Sequence, residues 1–311
     1  MKQKLATTTS ITSTYAGEFA GEYISAMLLA GKTLGDNTIT IKPNIKYKEV
    51  VKKGVTGSLL AAATCDFTDT GSITLTERSI EPVELQVNLE LCKKDFHSDW
   101  EAESMGFSAH DNLPPKFSDW LIDNVSKSIA ASIETAIWQG DGTAATFSGF
   151  TVLMAADSDV VDVAGLGTGL TSSTVQAELA KVVAASAALY TNDPVIYANK
   201  SIIANYLISL GGFGASGLGA NGFKGEGPTG VQNAPLYFAG VPIVEAPGMP
   251  SNEMVCAEKE NLWFGTGLLN DFNTVKVLDM ADSDGSENVR FVMRFTAAVQ
   301  YGIGAEIIYY A

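Results

Sequence analysis

Basic residues are scarce in this 311-residue chain: 20 Lys+Arg stand against 35 Asp+Glu, a formal charge of -15. A general polyanion binder needs a positive face to neutralise phosphates, so this balance argues against one. Charge of both signs is also low, at 18%, while 46% of residues are apolar. That excludes a long, highly charged disordered protein. Histidine occurs only at 97 and 110, and cysteine only at 65, 92 and 256. Three widely spaced cysteines make no disulfide framework and read as reduced thiols. Lys2 and Lys4 precede no apolar stretch, so no signal peptide is expected. The longest uncharged run, 201–223, could span a bilayer by length, but six glycines and two asparagines interrupt it. The expectation is a soluble protein, made in a cytoplasm, with no membrane partner.

The chain is rich in glycine, with 30 residues, and in Thr, Ser and Ala. This favours strands, turns and loops over a helical bundle. Its length allows one large domain or two smaller ones, each able to bury a core.

Residues 1–38 read as an arm. The first fourteen are polar and Thr/Ser-rich; then Tyr15, Phe19, Tyr23 and Met27 recur every fourth position. That spacing predicts an amphipathic helix ended by Gly31. Residues 39–95 read as a long β-hairpin. Val83, Leu85, Val87, Leu89 and Leu91 alternate with Glu84, Gln86, Asn88 and Glu90, the period-two pattern of a half-exposed strand. Little sequence remains to cover its second face, and a bare hairpin is an edge liability unless a partner covers it.

The segment 113–138 predicts a long helix. Pro114 and Pro115 stand at its start, and Phe117, Leu121, Val125, Ile129, Ile133 and Ile137 follow at i+4 spacing. An i+4 row drifts by about 40° per step. The two ends of the helix are therefore expected to bury against different neighbours. Residues 150–265 read as mixed α/β. They hold helices over TSSTVQAELAKVVAASAALY and KSIIANYLISLGG, and short strands at DPVIYAN, around a Gly-Val-Pro turn, and at NEMVCAEKENLWFGTG. From 270 the strand pattern returns, with an acidic turn at 279–287 between NTVKVLDM and NVRFVMRFTAAVQYGIG.

The search for chemistry comes back nearly empty. G-x-G-x-x-G occurs at 212–217 and 217–222, but it follows a helix and runs into loop, where a dinucleotide fingerprint needs a strand before and a helix after. AGKT at 30–33 mimics the end of a P-loop, but Ala26 stands where its first glycine belongs. No G-x-S-x-G is present. His97 and His110 lie near acidic residues without H-E-x-x-H or a Cys pair, so they read as surface loop. Asp279, Asp282, Asp284 and Glu287 do not keep EF-hand spacing and read as a solvated hairpin tip. Lys42, Lys46, Lys48, Lys52 and Lys53 form the densest basic patch, read as a strand that pairs with an acidic neighbouring chain. No catalytic residue, cofactor or metal site is expected.

The order of elements resembles the major capsid proteins of tailed bacteriophages, the Hong Kong 97-type (Johnson) fold. The resemblance is carried by PVIYANKSIIANYLISLGG, FAGVPIVEAPGMPSN, LWFGTGLLNDFNTVKVLDM and FVMRFTAAVQYGIG, and in element order it covers about residues 15–311. It implies an α+β fold with an N-terminal arm over 1–38 and the first part of a P-domain over 39–149. That part would include an extended β-hairpin, the E-loop, at about 55–90 and a spine helix at 113–138. An A-domain would follow over 150–268, then P-domain return strands over 269–300 and a final A-domain strand over 301–311. The implied function is self-assembly as hexamers and pentamers into an icosahedral shell around double-stranded DNA, in a virion assembled in a bacterial cytoplasm. Its implied partners are a portal and separate scaffold or decoration proteins. The alternative is an encapsulin-like compartment shell. Tyr15, Phe19, Tyr23, Lys46, Lys48, Val83, Leu85 and Val87 are the expected assembly residues.

Overall fold

The computed structural model describes residues 13–16, 31–45, 47–56, 60, 62, 71, 73–92, 115–143, 146–187, 193–210, 236–267 and 274–311. In chain order the elements begin with strand β1 (Ser13–Ala16), helix α1 (Lys32–Gly35), β2 (Thr40–Lys42), β3 (Glu49–Thr56), β4 (Ile73–Ile80) and β5 (Val83–Cys92). Next come helices α2 (Pro115–Gln139) and α3 (Phe150–Ala155), strand β6 (Val161–Val163), α4 (Val175–Ser186), β7 (Pro194–Ala198) and α5 (Lys200–Ser209). The last third holds β8 (Leu236–Phe238), β9 (Val241–Glu245), β10 (Met254–Glu258), β11 (Leu262–Thr266), β12 (Thr274–Asp279), α6 (Ala281–Asp284), β13 (Asn288–Tyr301) and β14 (Ile308–Tyr310).

Two six-stranded sheets and one hairpin result. In the first sheet the order is β1-β12-β13-β11-β2, with β5 along the other edge of β13. Only the β11–β2 pair in it is parallel. The second sheet runs β6-β14-β10-β7-β9-β8. Among the described residues, strands β3 and β4 pair only with each other, antiparallel, from Glu49↔Ile80 to Thr56↔Ile73.

Strand β13 is the axis of the first sheet. Val289, Phe291, Met293, Phe295 and Ala297 are buried on one face, and Arg290 and Arg294 stand exposed on the other. That buried face packs against Ile122, Val125, Ile129, Ile133 and Ile137 of α2. Each such side chain contributes about 1.5–3 kcal/mol when fully buried. The burial of α2 widens toward its C-terminal end, where Ala136, Ile137 and Trp138 are buried in succession, as the drift of an i+4 row requires. Trp138 sits 5.4 Å from both the Phe150 and the Tyr197 rings, so it joins α2 to α3 and to β7 of the second sheet. A second core lies under that sheet, where Val175, Leu179 and Val182 of α4 meet Ile202, Ile203 and Tyr206 of α5.

The chain crosses between the sheets three times, first from β5 to β6 and then twice through short turns. β10 and β11 are joined by a single 3-10 turn, Lys259–Asn261, and β13 reaches β14 through another, Gly304–Glu306. Buried Asn261 stitches them together. Its Oδ1 accepts from the backbone N–H groups of Gly302 (3.1 Å) and Ile303 (2.8 Å), and its Nδ2 donates to the Ile303 carbonyl (2.9 Å).

Several expectations need correction. Tyr15 lies in a strand, not a helix: Ser13–Ala16 pairs with Thr274–Val277. The outer edge of β12 offers unmet backbone donors and acceptors, and this outweighs fourfold aromatic spacing. Phe19 and Tyr23 lie outside the described residues. The hairpin does not extend to 90. The chain breaks at Glu81–Pro82, and β5 then pairs with ten residues of β13. Pro82 has no N–H to continue the β4 ladder, while β13 has a long bare edge. One strand was expected over 252–267; there are two, in different sheets. The chain passes from the second sheet to the first at the turn 259–261. The turn between β8 and β9 is Ala239–Gly240, at φ 48 and 89, the left-handed pair of a mirror-type hairpin turn.

Candidate assembly surfaces

The strand sequence of β3 and β4 builds a hairpin that exposes Ile73 and Leu75 in its distal half. Ile73 is 65% and Leu75 71% exposed. They stand on one face with Val50 and Lys52, since paired residues of an antiparallel ladder share a side. A two-stranded hairpin with an open apolar face is marginal alone.

The base of the hairpin is fixed by charge. Lys42 Nζ donates to Glu49 Oε1 at 2.9 Å and lies 4.4 Å from the Trp263 ring centroid. Lys48 pairs with Glu81 at 2.7 Å, across the two legs of the hairpin. Arg78 pairs with Asp157, and its guanidinium lies 4.5 Å from the Tyr301 ring centroid. The Tyr301 hydroxyl donates to the same Asp157 Oδ2 at 2.8 Å. Burial alone would raise the Asp157 carboxyl. The Asp159 N–H, the Tyr301 hydroxyl and the Arg78 guanidinium together hold it below the ordinary carboxylate range. Tyr301 moves up, first through burial and then through its bond to Asp157. Ile80 completes the base in a small apolar cluster with Ile45 and Ala298. Gly265 makes room for it, since a Cβ there would meet Ile80 Cδ1 at 2.6 Å and Ile45 Cδ1 at 2.9 Å.

Beside this base is a cleft of about 250 Å³, lined by Ser79, Glu81 and Val83 on one side and Phe147, Leu153 and Gln300 on the other. From there β5 runs along β13. Leu85 and Val87 are packed against the main core, whereas Val83 and Leu89 remain 40% and 41% exposed. On the outer face Glu90 pairs with Arg290 at 2.9 Å and Glu84 with Arg294 at 3.9 Å. Arginine occurs only at 78, 290 and 294, so all three serve to hold the hairpin or β5 onto β13 and its surroundings.

The expected assembly residues thus scatter. Tyr15 is a backbone partner of Val275. Lys48 pairs with Glu81 of its own subunit, both side chains remaining exposed. Lys46 lies outside the described residues. Leu85 and Val87, on β5, are partly buried and packed against the main core. Of the proposed apolar stripe only Val83 and Leu89 are free for a partner. His97, His110 and both glycine motifs lie outside the described residues.

AGKT is consumed by packing. Lys32 pairs with Glu245. The backbone N–H of Thr33 donates to the buried Glu134 carboxylate at 3.0 Å, its hydroxyl donates to the same carboxylate, and Trp138 Nε1 donates to that hydroxyl at 3.1 Å. Cys256 is buried, and its thiol is pushed up to about 12 by burial; it is inert packing. Among the described residues no grouping of His, Cys, Asp and Glu could hold a metal ion, and no helix is long and apolar enough to cross a membrane. Arg78, Asp157 and Tyr301 were missed by sequence reading. The one available signal was the rarity of arginine.

No protein-family model and no curated protein matches the sequence. Solved structures do match. The chain is similar to a subunit of the satellite phage P4 procapsid at TM-score 0.56 and 12% identity, covering 93% of this chain and 97% of that one. It is similar to the capsid subunit of a native GTA particle at TM-score 0.54 and 14% identity, over 91% and 89%. It is also similar to the virus-like particle from Pyrococcus furiosus at TM-score 0.54 and 8% identity, over 95% and 99%. These structures have the Hong Kong 97-type fold, and this chain has it too.

Proposed function

We propose that this chain is the major subunit of a tailed-phage capsid, assembling as hexamers and pentamers into an icosahedral shell around double-stranded DNA. The observation that carries this reading is co-extension: the likeness to the P4 procapsid subunit spans 93% of one chain and 97% of the other. Little of either chain is left over for a different task.

The exposed elements support the same reading. A shell subunit leaves strands and apolar faces open because copies of itself cover them. Ile73 and Leu75 on the hairpin and Val83 and Leu89 on β5 are such faces. The hairpin 49–80 is assigned as the E-loop. The first sheet with α2 as spine helix is assigned as the P-domain, and the second sheet with α4 and α5 as the A-domain. The acidic balance suits a container for DNA, because a wall of net charge -15 does not hold phosphates fast. A portal and separate scaffold or decoration proteins complete the proposal. The role is structural rather than catalytic.

The likeness to the Pyrococcus furiosus virus-like particle, over 95% and 99% of the two chains, favours a second reading, a compartment shell of the encapsulin kind. Negative-stain electron microscopy of the purified chain, with size-exclusion mass, tests both. Uniform hollow particles or five- and six-membered rings are expected. Particles carrying protein cargo and excluding nucleic acid would replace the first reading with the second. A strict monomer, with and without co-expressed neighbouring phage proteins, would overturn both.

A further inference from the structure

Among the described residues, the hairpin β3–β4 is anchored to the rest of the subunit at its base. Its legs enter through Pro43–Lys48 and leave through Glu81–Pro82, two proline-marked breaks where no described strand pairing continues. Lys48–Glu81 is a local tie between the two legs, whereas Lys42–Glu49 ties the start of β3 to β2 at the edge of the first sheet. On the β4 leg the hairpin meets the body through Ile80, packed with Ala298, and through Arg78 with Asp157 and Tyr301, where Gln300 Nε2 also donates to the Ser79 carbonyl at 3.3 Å; of these, the Arg78 contact is the charged and directional one. Asp157 lies in the turn after α3 and Tyr301 ends β13, so both belong to the body and not to the hairpin.

We propose that Arg78, Asp157 and Tyr301 form a latch that sets the angle of the hairpin, and that releasing it lets the hairpin swing as a lever. Three features of the site fit this device. Arg78 is an end-on anchor: it sits near the base, so a small displacement there is amplified along the strands. The cleft of about 250 Å³ between Ser79, Glu81 and Val83 and the body leaves space on one side of the pivot. The contact is stacked, charged and hydrogen-bonded at once, which orients it as a lone ion pair would not. Its use in assembly rests on the shell reading; the latch itself belongs to the single subunit.

The test uses paired spin labels on the whole chain, with its three cysteines replaced. One label goes at Ile73→Cys near the hairpin tip and one at Ser132→Cys on the exposed face of α2. Strands of eight residues are about 27 Å long, so a tilt of about 15° moves the tip by about 7 Å. The native latch should give a single narrow distance distribution. Arg78→Ala, Asp157→Asn and Tyr301→Phe should each broaden or shift it, and Arg78→Ala with Asp157→Asn should do no more than either alone. Distributions that superimpose on the native one, in whichever of the three variants fold by circular dichroism, would overturn the latch. So would strictly additive effects in the double variant. Particle formation by the unsubstituted chain is scored separately. A shell with an unmoved hairpin sinks the latch alone, and a moved hairpin without shells sinks the capsid reading alone.

Discussion

The Tyr301 hydroxyl and the Arg78 guanidinium meet on one oxygen, Asp157 Oδ2, with the guanidinium also lying 4.5 Å above the Tyr301 ring. A residue of the hairpin is thereby tied to the last residue of β13, the longest strand among the described residues. The strand is in turn tied by Asn261 to the crossover into the second sheet. A short chain of polar contacts thus runs from hairpin to core to second sheet.

This geometry fixes a pH dependence. Asp157 is held below its ordinary value of 3.8. A carboxylate depressed in the folded state contributes stability above its unfolded pKa, and loses it as pH falls through the folded one. Thermal melts of the native chain should therefore fall relative to Asp157→Asn as pH drops from about 5 to about 3. The expected difference is about 1–2 kcal/mol, the size of a hydrogen-bonded charge. Parallel curves for the two proteins across that range would contradict the assignment.

Thr33 is expected to matter more than its place in a four-residue helix suggests. Its N–H and hydroxyl satisfy the buried Glu134 carboxylate, and its oxygen accepts from Trp138. Thr33→Val keeps the shape but strands a carboxylate oxygen and an indole N–H, at a cost of about 2–3 kcal/mol. Thr33→Ser keeps the hydroxyl and should recover most of that in chemical denaturation. Equal losses in both variants would mean that the methyl group, not the hydrogen bonds, holds this corner.

Asn261 offers a sharper contrast. Asn261→Ala removes three hydrogen bonds from a buried turn and should cost about 3 kcal/mol. Asn261→Asp still accepts from Gly302 and Ile303 but sets a carboxylate against the Ile303 carbonyl, so it too should destabilise, and most at neutral pH. Gly302→Ala attacks the same joint sterically, since a Cβ would sit 2.9 Å from both Asn261 Oδ1 and Trp263 Cη2. A loss of about 1–3 kcal/mol is expected by overpacking. Melts of the three variants, with no shift in any, would show that the crossover tolerates movement.

How much of this was legible in the residues depended on whether a pattern was local. The long helix was readable because its apolar row repeats every turn, and β13 was readable because large apolar residues alternate with Arg290 and Arg294. The partner of β5 was not readable. Alternation at 83–91 says that a strand has two faces; it is silent on whether β4 or β13 lies alongside. Pro82 was the available clue. The latch was still less accessible, since Arg78 meets a carboxylate 79 residues away, and Tyr301 meets it across 144. Tyr15 misled for the opposite reason: a periodic row of aromatics lay beside a strand set by the open edge of β12. The fold family was recognisable through the order of elements, which survives when individual contacts cannot be foreseen.

That distinction between core and exposed apolar residues gives a paired prediction about assembly. Val87 looked like a surface residue of the hairpin but packs against the main core on β5. Val87→Asp should therefore damage the subunit itself, by about 2–4 kcal/mol for a charge placed against apolar neighbours. Leu75 is 71% exposed on the hairpin, so Leu75→Asp should leave subunit stability within about 0.5 kcal/mol. If copies of the chain cover the hairpin, Leu75→Asp should nonetheless cut particle yield several-fold, because a buried interface tolerates an unpaired charge poorly. Melting curves and particle counts on the two variants separate the two effects. Normal particle yield from Leu75→Asp would show that the hairpin face stays in solvent, and the bare apolar pair Ile73 and Leu75 would then need another explanation.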